Sequence, residues 1–148
     1  DMNILVYTKT PNKKDFPKYE FVSKEKLLKN SDFVSVHVPL DESTKHLIGR
    51  KEFGMMKKSA YIINAARGAV IDEGAMADAL KNGKIVGAGL DVFSKEPLPL
   101  DSDLAKLKNV VITPHTAFYT AEALERLYST CIANIEDFLA GKTTNRVI

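Results

Sequence analysis

Three residues have the types and positions to do chemistry together: Arg67, Glu96 and His115. Arg67 lies in "INAARGAVID" (Ile63–Asp72), at the tip of an apolar, β-rich run. A guanidinium there can grip a carboxylate through two parallel hydrogen bonds and stays charged at any working pH. Aimed at a carbonyl oxygen, it also stabilises the charge that develops there on reduction. Gly68 is expected to let the chain turn sharply behind it. The structural alternative for Arg67 is an ion pair with Asp72 or Glu73. His115, in "TPHTAFYT", follows a strand-ending proline and carries the side chain best suited to exchanging protons near neutral pH. Its alternative is a hydrogen-bonded structural histidine, a role that suits His37, in a buried strand, and His46, on a polar loop, better. Glu96, in "LDVFSKEPLPLDSD", is by itself a surface carboxylate. Set against His115 it would favour the imidazolium, the form that delivers a proton to a carbonyl oxygen. Help of that kind is worth about 10² to 10⁴ in rate.

The elements that must position these residues alternate between strand and helix. "NILVY" (Asn3–Tyr7) is a near-continuous apolar run, the pattern of a strand covered on both faces. A loop punctuated by Pro11, Asn12 and Pro17 leads to a short strand in "YEFVS", whose Ser23 can cap the helix "KEKLLKN". Strands follow at Asp32–Val38, Ala60–Asn64, Ile85–Val92 and Val110–Pro114, with helices around "RKEFGMMKK" and "DEGAMADALKNGK". The last helix, about Ala121 to Ala140, places Leu124, Leu127, Tyr128, Cys131, Ile135 and Phe138 on one stripe. On that stripe Cys131 reads as a small buried hydrophobe rather than a reactive thiol. Repeated strand–helix–strand units predict an α/β fold: a parallel sheet with helices on both faces. Ligands of such sheets bind outside the carboxyl ends of the strands. Thr8, Val38–Pro39, Arg67, Asp91 and His115 all fall at such ends, converging on one edge.

Composition sets outer bounds. Hydrophobic residues make up 45% and charged residues 27% of the chain, a globular profile. A net charge of +2 with interspersed signs gives no electrostatic case for nucleic acid. The single cysteine cannot form an internal disulfide, which points to a reducing, cytoplasmic compartment. No apolar run approaches the roughly 20 residues of a membrane span, so no membrane partner is expected.

"NAARGAVIDEGAMADAL", "GAGLDVFSKEPLP" and "VVITPHTAFYT" resemble, in order and spacing, the three signature segments of the D-isomer-specific 2-hydroxyacid dehydrogenases. "PHTAFYT" resembles the D-lactate dehydrogenase branch more than the phosphoglycerate branch. The resemblance implies a Rossmann-like fold, an NAD or NADP cofactor, no metal, and hydride transfer between nicotinamide and a small 2-keto or 2-hydroxy acid. It implies Arg67 as the contact to the substrate carboxylate and carbonyl, His115 as acid/base and Glu96 as its partner. It carries nicotinamide-cofactor contacts onto Thr8, Val38, Pro39, Thr44, Ala65, Ala66, Arg67, Asp91 and His115. A homodimer is implied for the full-length protein.

Two departures from the family pattern shape further expectations. The phosphate loop G-x-G-x-x-G is absent, as is the first strand that precedes it. Residues 1–120 are therefore expected to be a partial nucleotide-binding domain. Residues 121–148 would be a C-terminal helix and tail packing back toward an absent substrate domain. Second, the position that often holds Asp at the end of the second strand is Thr8, followed by Lys9, which leaves both NAD and NADP open. The alternatives to an enzyme are a cofactor-binding regulatory module and an inactive remnant. The 148-residue piece alone is expected to show no turnover; measurable NADH oxidation by it would overturn that expectation.

Overall fold

The computed structural model describes residues 2–12 and 14–145; Asp1, Lys13 and residues 146–148, the end of the tail "GKTTNRVI", lie outside the described residues. Two hydrogen-bonded sheets form, both parallel. β1 (Leu5–Val6) pairs with β2 (Glu20–Phe21), Leu5 opposite Glu20 and Val6 opposite Phe21. The second sheet has the order β3-β4-β5-β6, with β3 at Phe33–Val36, β4 at Tyr61–Asn64, β5 at Gly87–Leu90 and β6 at Val110–Ile112. Every strand thus pairs with its successor in sequence within its own sheet, and β1 and β3 are not bonded to each other.

The connections explain the parallel order. α1 (Lys24–Asn30) starts where the Ser23 hydroxyl accepts from the Lys26 N–H at 3.2 Å. Glu25 in its first turn and Lys29 in its last complement the helix dipole. α2 is a single turn, Arg50–Phe53, much shorter than the "RKEFGMMKK" expectation, because Gly54 ends it with its N–H on the Arg50 carbonyl. α3 (Glu73–Lys81) begins at Asp72, whose carboxylate accepts from the Ala75 N–H at 2.9 Å. It buries Ala75, Met76, Ala77, Ala79 and Leu80. The core they enter includes Leu28, Val34, Val36, Phe53, Ile62, Val70 and Ile85.

Burial along β3 and β4 alternates, with Val34, Val36, Ile62 and Asn64 inward. On the opposite face Phe33 and Tyr61 stack at 5.4 Å between ring centroids and stay exposed. β1 corrects the expectation that "NILVY" is covered on both faces: Leu5 and Val6 are half-buried and Ile4 is exposed.

The chain divides into two compact units, Asp1–Pro114 and His115–Ile148. The second contains α4 (Ala121–Leu139), capped where Thr120 Oγ1 accepts from the Ala123 N–H. None of its residues is buried; Phe138 is 79% and Tyr128 62% exposed. Cys131 is exposed as well, which corrects its reading as a buried hydrophobe. The three-and-four periodicity identified an apolar face, and no described residue of the helix is buried on it.

Asp72→Ala is expected to lower stability by about 1 kcal/mol through loss of the α3 cap, with Asp72→Ser restoring most of it. A urea titration of the three proteins reads this directly.

Candidate functional site

Register decides where the site is. Val36 pairs with Asn64, Asn64 with Leu90, and Leu90 with Ile112. The carboxyl ends of β3 to β6 therefore form one level row. His37–Pro39, Ala65–Arg67, Asp91 and Thr113 leave the sheet side by side along it.

The turn after β4 is built by Asn64. Its side chain is 2% exposed; the amide Nδ2 donates to the Arg67 carbonyl at 2.9 Å, and Oδ1 accepts from the Ala66 N–H at 3.1 Å. One buried amide thus fixes both ends of the Ala65–Arg67 turn. Arg67 itself is exposed, and its Nη1 donates to the Ala66 carbonyl at 2.6 Å. The ion-pair alternative does not form among the described residues. Asp72 caps α3, and Glu73 accepts from the Ser94 N–H at 2.6 Å.

Gly68 is needed for a reason other than the one expected. Its backbone does not lie in the left-handed region; a Cβ added to it would sit 1.9 Å from the Phe93 carbonyl carbon and 2.3 Å from the Ser94 nitrogen. The turn bearing Arg67 therefore lies in backbone contact with the segment leading to Glu96. That segment is held in turn: the Phe93 N–H donates to Glu96 Oε1 at 2.9 Å. Glu96 is exposed on this loop.

The loop after β3 is organised around Asp41 and Thr44. Asp41 Oδ1 accepts from the Ser43 N–H at 2.7 Å, from the Ser43 hydroxyl, and from the Thr44 N–H at 3.0 Å. These bonds, the Ser43 hydroxyl's foremost, hold the Asp41 carboxyl below its ordinary range, with Lys9 adding attraction. Thr44 is buried, donating to the Pro39 carbonyl at 2.7 Å and accepting from the Asp41 N–H at 2.8 Å. Beyond it the loop is laced to the Arg67 turn: the His46 N–H donates to Ala69 O at 2.9 Å and the Asp72 N–H to Ile48 O at 3.0 Å.

Two cavities open on this edge. The larger, about 590 Å³, is lined by His37, Val38, Pro39 and Leu40 on one side and Ala65, Ala66 and Arg67 on the other. The smaller, about 170 Å³, lies between the end of β1, at Tyr7, Thr8 and Lys9, and the loop residues Val38, Pro39, Asp41, Thr44 and Leu47. Val38 and Pro39 belong to both. Asp91 is buried at the end of β5, donating its N–H to Asn64 O at 2.9 Å and accepting from the Thr113 hydroxyl. His115 begins the second unit, with a left-handed backbone at φ +55°.

The first unit thus gathers Thr8, Val38, Pro39, Thr44, Ala65, Ala66 and Arg67 around joined cavities, with Glu96 and Asp91 on adjoining segments. Several residues here were passed over in sequence. His37 is exposed and lines the larger cavity, not buried in a strand as expected; it bonds Ser35 Oγ at 2.8 Å. Asn64 could have been suspected, as an amide ending an apolar run, where such side chains commonly bond the backbone two residues on. Asp41 carried the same kind of signal in Asp-x-Ser-Thr.

Residues 1–117 match the family described as "D-isomer specific 2-hydroxyacid dehydrogenase, NAD binding domain". The chain belongs to this family. Among proteins similar to this D-2-hydroxyacid dehydrogenase domain is a glyoxylate reductase of Korarchaeum cryptofilum, 46% identical over 144 residues, covering 95% of the chain and 43% of the relative. D-lactate dehydrogenase with NAD+ from Lactobacillus jensenii superposes with a TM-score of 0.88 at 30% identity, over 99% of the chain and 48% of that protein. An acyclic imino acid reductase (Bsp5) in complex with NADPH and D-Arg gives a TM-score of 0.87 at 36% identity, over 99% and 46%. The chain spans less than half the length of each of these proteins. Among the described residues no helix is long and apolar enough to cross a membrane.

Gly68→Ala is expected to cost at least about 1–3 kcal/mol, because backbone, not a flexible side chain, blocks the methyl group. Thermal denaturation of the full-length protein measures it. A second expectation follows from Asp41. Its folded-state pKa is depressed, so its contribution to stability is present above the ordinary carboxylate range and is lost as pH falls through the depressed value. Asp41→Asn should lower stability at neutral pH and narrow the gap between neutral and acid, as read by melting curves at the two pH values.

Proposed function

We propose that the full-length protein is an NAD(P)-dependent 2-hydroxyacid dehydrogenase, acting on a short 2-keto acid and its 2-hydroxy product. The observation that carries this reading is Arg67. It carries an exposed guanidinium with no carboxylate partner among the described residues, on a turn whose backbone is held by the buried Asn64 amide, beside a cavity it lines with Ala65 and Ala66. A cavity of about 590 Å³ falls within the range of roughly 300–1,000 Å³ in which small-molecule sites occur. Its surface suits a nicotinamide nucleotide: Ala65 and Ala66 leave room for a flat ring, and Val38–Pro39 offer an apolar wall. When bound, the nicotinamide carries the reducing equivalent to or from the substrate carbon.

The chain's own residues do the rest. Arg67 pairs with the substrate carboxylate and lowers the energy of negative charge on the adjoining carbonyl oxygen. His115 gives that oxygen a proton and takes it back in the reverse direction, and Glu96 favours the protonated imidazole. A left-handed backbone at a residue other than glycine costs about 1–3 kcal/mol, the sort of local strain that clusters at active sites, and His115 carries it. Asp91 is the buried carboxylate at the end of β5, Thr44 fixes the loop bearing Val38 and Pro39, and Thr8 lies where the adenosine ribose would bind. A glyoxylate-class substrate is favoured over lactate, since the glyoxylate reductase is 46% identical and the D-lactate dehydrogenase 30%.

Residues 1–120 serve as the nucleotide-binding part in this reading, and residues 121–148 pack their apolar stripe on protein outside this chain. Exposed apolar surface of that extent marks an interface. A cytoplasmic homodimer accords with the single cysteine and the uncovered helix face.

Steady-state reduction of glyoxylate, hydroxypyruvate and pyruvate by the full-length protein tests the assignment. Arg67→Ala should lower kcat/KM by about 10²–10³, the scale of a lost oxyanion contact. His115→Ala should lower kcat by about 10²–10⁴ with cofactor affinity retained. Absence of turnover with all three acids and both reduced nucleotides would refute the enzyme reading.

A further inference from the structure

The turn bearing Arg67 and the loop bearing Glu96 follow different strands, and the contact between them involves a side chain that the chemistry above does not use, Glu73. We propose that Glu73 is a positioning residue, holding the Phe93–Ser94 peptide in the one orientation that keeps Glu96 in place. The proposal rests on the catalytic reading of Arg67, Glu96 and His115 and deepens it.

The Glu96 loop needs an anchor of this kind. Phe93 belongs to the hydrophobic core and Leu98 packs against it, but residues 94–97 between them are exposed. Apolar packing therefore fixes the ends of the loop and not its middle, where Glu96 lies.

Two carboxylates take up the backbone N–H groups at the start of the loop. Glu96 Oε1 accepts from the Phe93 N–H at 2.9 Å. Glu73 Oε1, from the first turn of α3, accepts from the Ser94 N–H at 2.6 Å. The Phe93–Ser94 peptide is also the one that Gly68 touches: a Cβ there would meet its carbon, oxygen and nitrogen at 1.9, 2.3 and 2.3 Å. One peptide unit is thus packed against the Arg67 turn and tied at its N–H by Glu73. The tie comes from a fixed base, since Glu73 is half-buried and Asp72 caps the same turn of helix through the Ala75 N–H.

The chemistry of the side chain sets the direction. An ionised carboxylate only accepts hydrogen bonds. Were the peptide to turn over, the Phe93 carbonyl oxygen would face Glu73 and be repelled. Turning it over also rotates the chain at Phe93 and Ser94, two residues before Glu96, and so breaks the geometry of the Phe93–Glu96 bond. A glutamine can serve either orientation, through its oxygen or its amide N–H groups, and so holds the peptide without selecting one.

The test compares Glu73→Ala, Glu73→Gln, Glu96→Gln and the double variant Glu73→Ala/Glu96→Gln in the full-length protein. Steady-state reduction of glyoxylate across pH, NADH and NADPH binding, and amide hydrogen exchange are measured. Glu73→Ala should lower kcat by about ten- to a hundredfold, the cost of misplacing a catalytic group by about 1 Å, with nucleotide affinity unchanged. Glu73→Gln should lose less, and exchange of the Ser94 N–H should rise in Glu73→Ala. Glu96→Gln should move the alkaline limit of reduction to lower pH by about one unit, because the imidazolium loses its opposite charge. Glu73→Ala should move it the same way by less, and should add no further shift on the Glu96→Gln background. Wild-type kcat and pH profile in Glu73→Ala, whatever its melting temperature, would overturn the proposal, as would a full additional loss in the double variant. Should Glu73→Ala fail to fold, Glu73→Gln replaces it: lowered kcat with nucleotide affinity kept supports the proposal, and wild-type kcat overturns it. Absence of turnover in the wild-type protein would overturn the catalytic reading and this proposal with it; turnover that no Glu73 variant alters would overturn this proposal alone.

Discussion

Two backbones touch at Gly68, and the geometry of the candidate site depends on that contact. A methyl group there would come within 1.9 Å of the Phe93 carbonyl carbon, so no other residue fits without moving one of the two segments. One segment carries Arg67 and the other leads to Glu96. A displacement at this contact changes the spacing of the guanidinium from the carboxylate loop, and misplacements of about 1 Å are known to cost as much as 10² in rate. The glycine acts as a spacer of zero width.

Around that contact the site is braced by polar groups whose hydrogen bonds are spent on the scaffold. Asn64 uses its amide on the Arg67 turn, Asp41 uses Oδ1 on its loop, and Thr44 uses its hydroxyl on Pro39. Each sits at the carboxyl side of a parallel strand, where the ladder ends and backbone groups would otherwise lack partners. Arg67 differs, for its guanidinium has no carboxylate partner among the described residues, and Lys9 meets Asp41 only through the Ser43 hydroxyl and by charge. The division is physical: satisfied groups hold loops in place, and cations facing open cavities remain available to anions.

Much of this was legible in the sequence because it depends on local rules. The Ser23 cap, read from its place before "KEKLLKN", forms, and Asp72 and Thr120 cap α3 and α4 by the same local rule. Strand ends were readable because apolar runs stop at polar or proline residues. Less legible was burial. The runs at β1 and α4 read as interior, yet Ile4, Leu127 and Phe138 are exposed, since periodicity shows which face is apolar but not what covers it.

By itself, the sequence determined the parallel α/β class, the order of the elements and the candidates Arg67, Glu96 and His115, because hydrophobic period and residue chemistry are written one position at a time. Only the tertiary structure decided that Gly68 is a spacer, that Asn64 builds the Arg67 turn, and that His37 and Lys9 face cavities. The reason is distance. Gly68 and Phe93 are far apart along the chain, as are Lys9 and Ser43, and no local pattern reports a contact that exists only once the strands are in register.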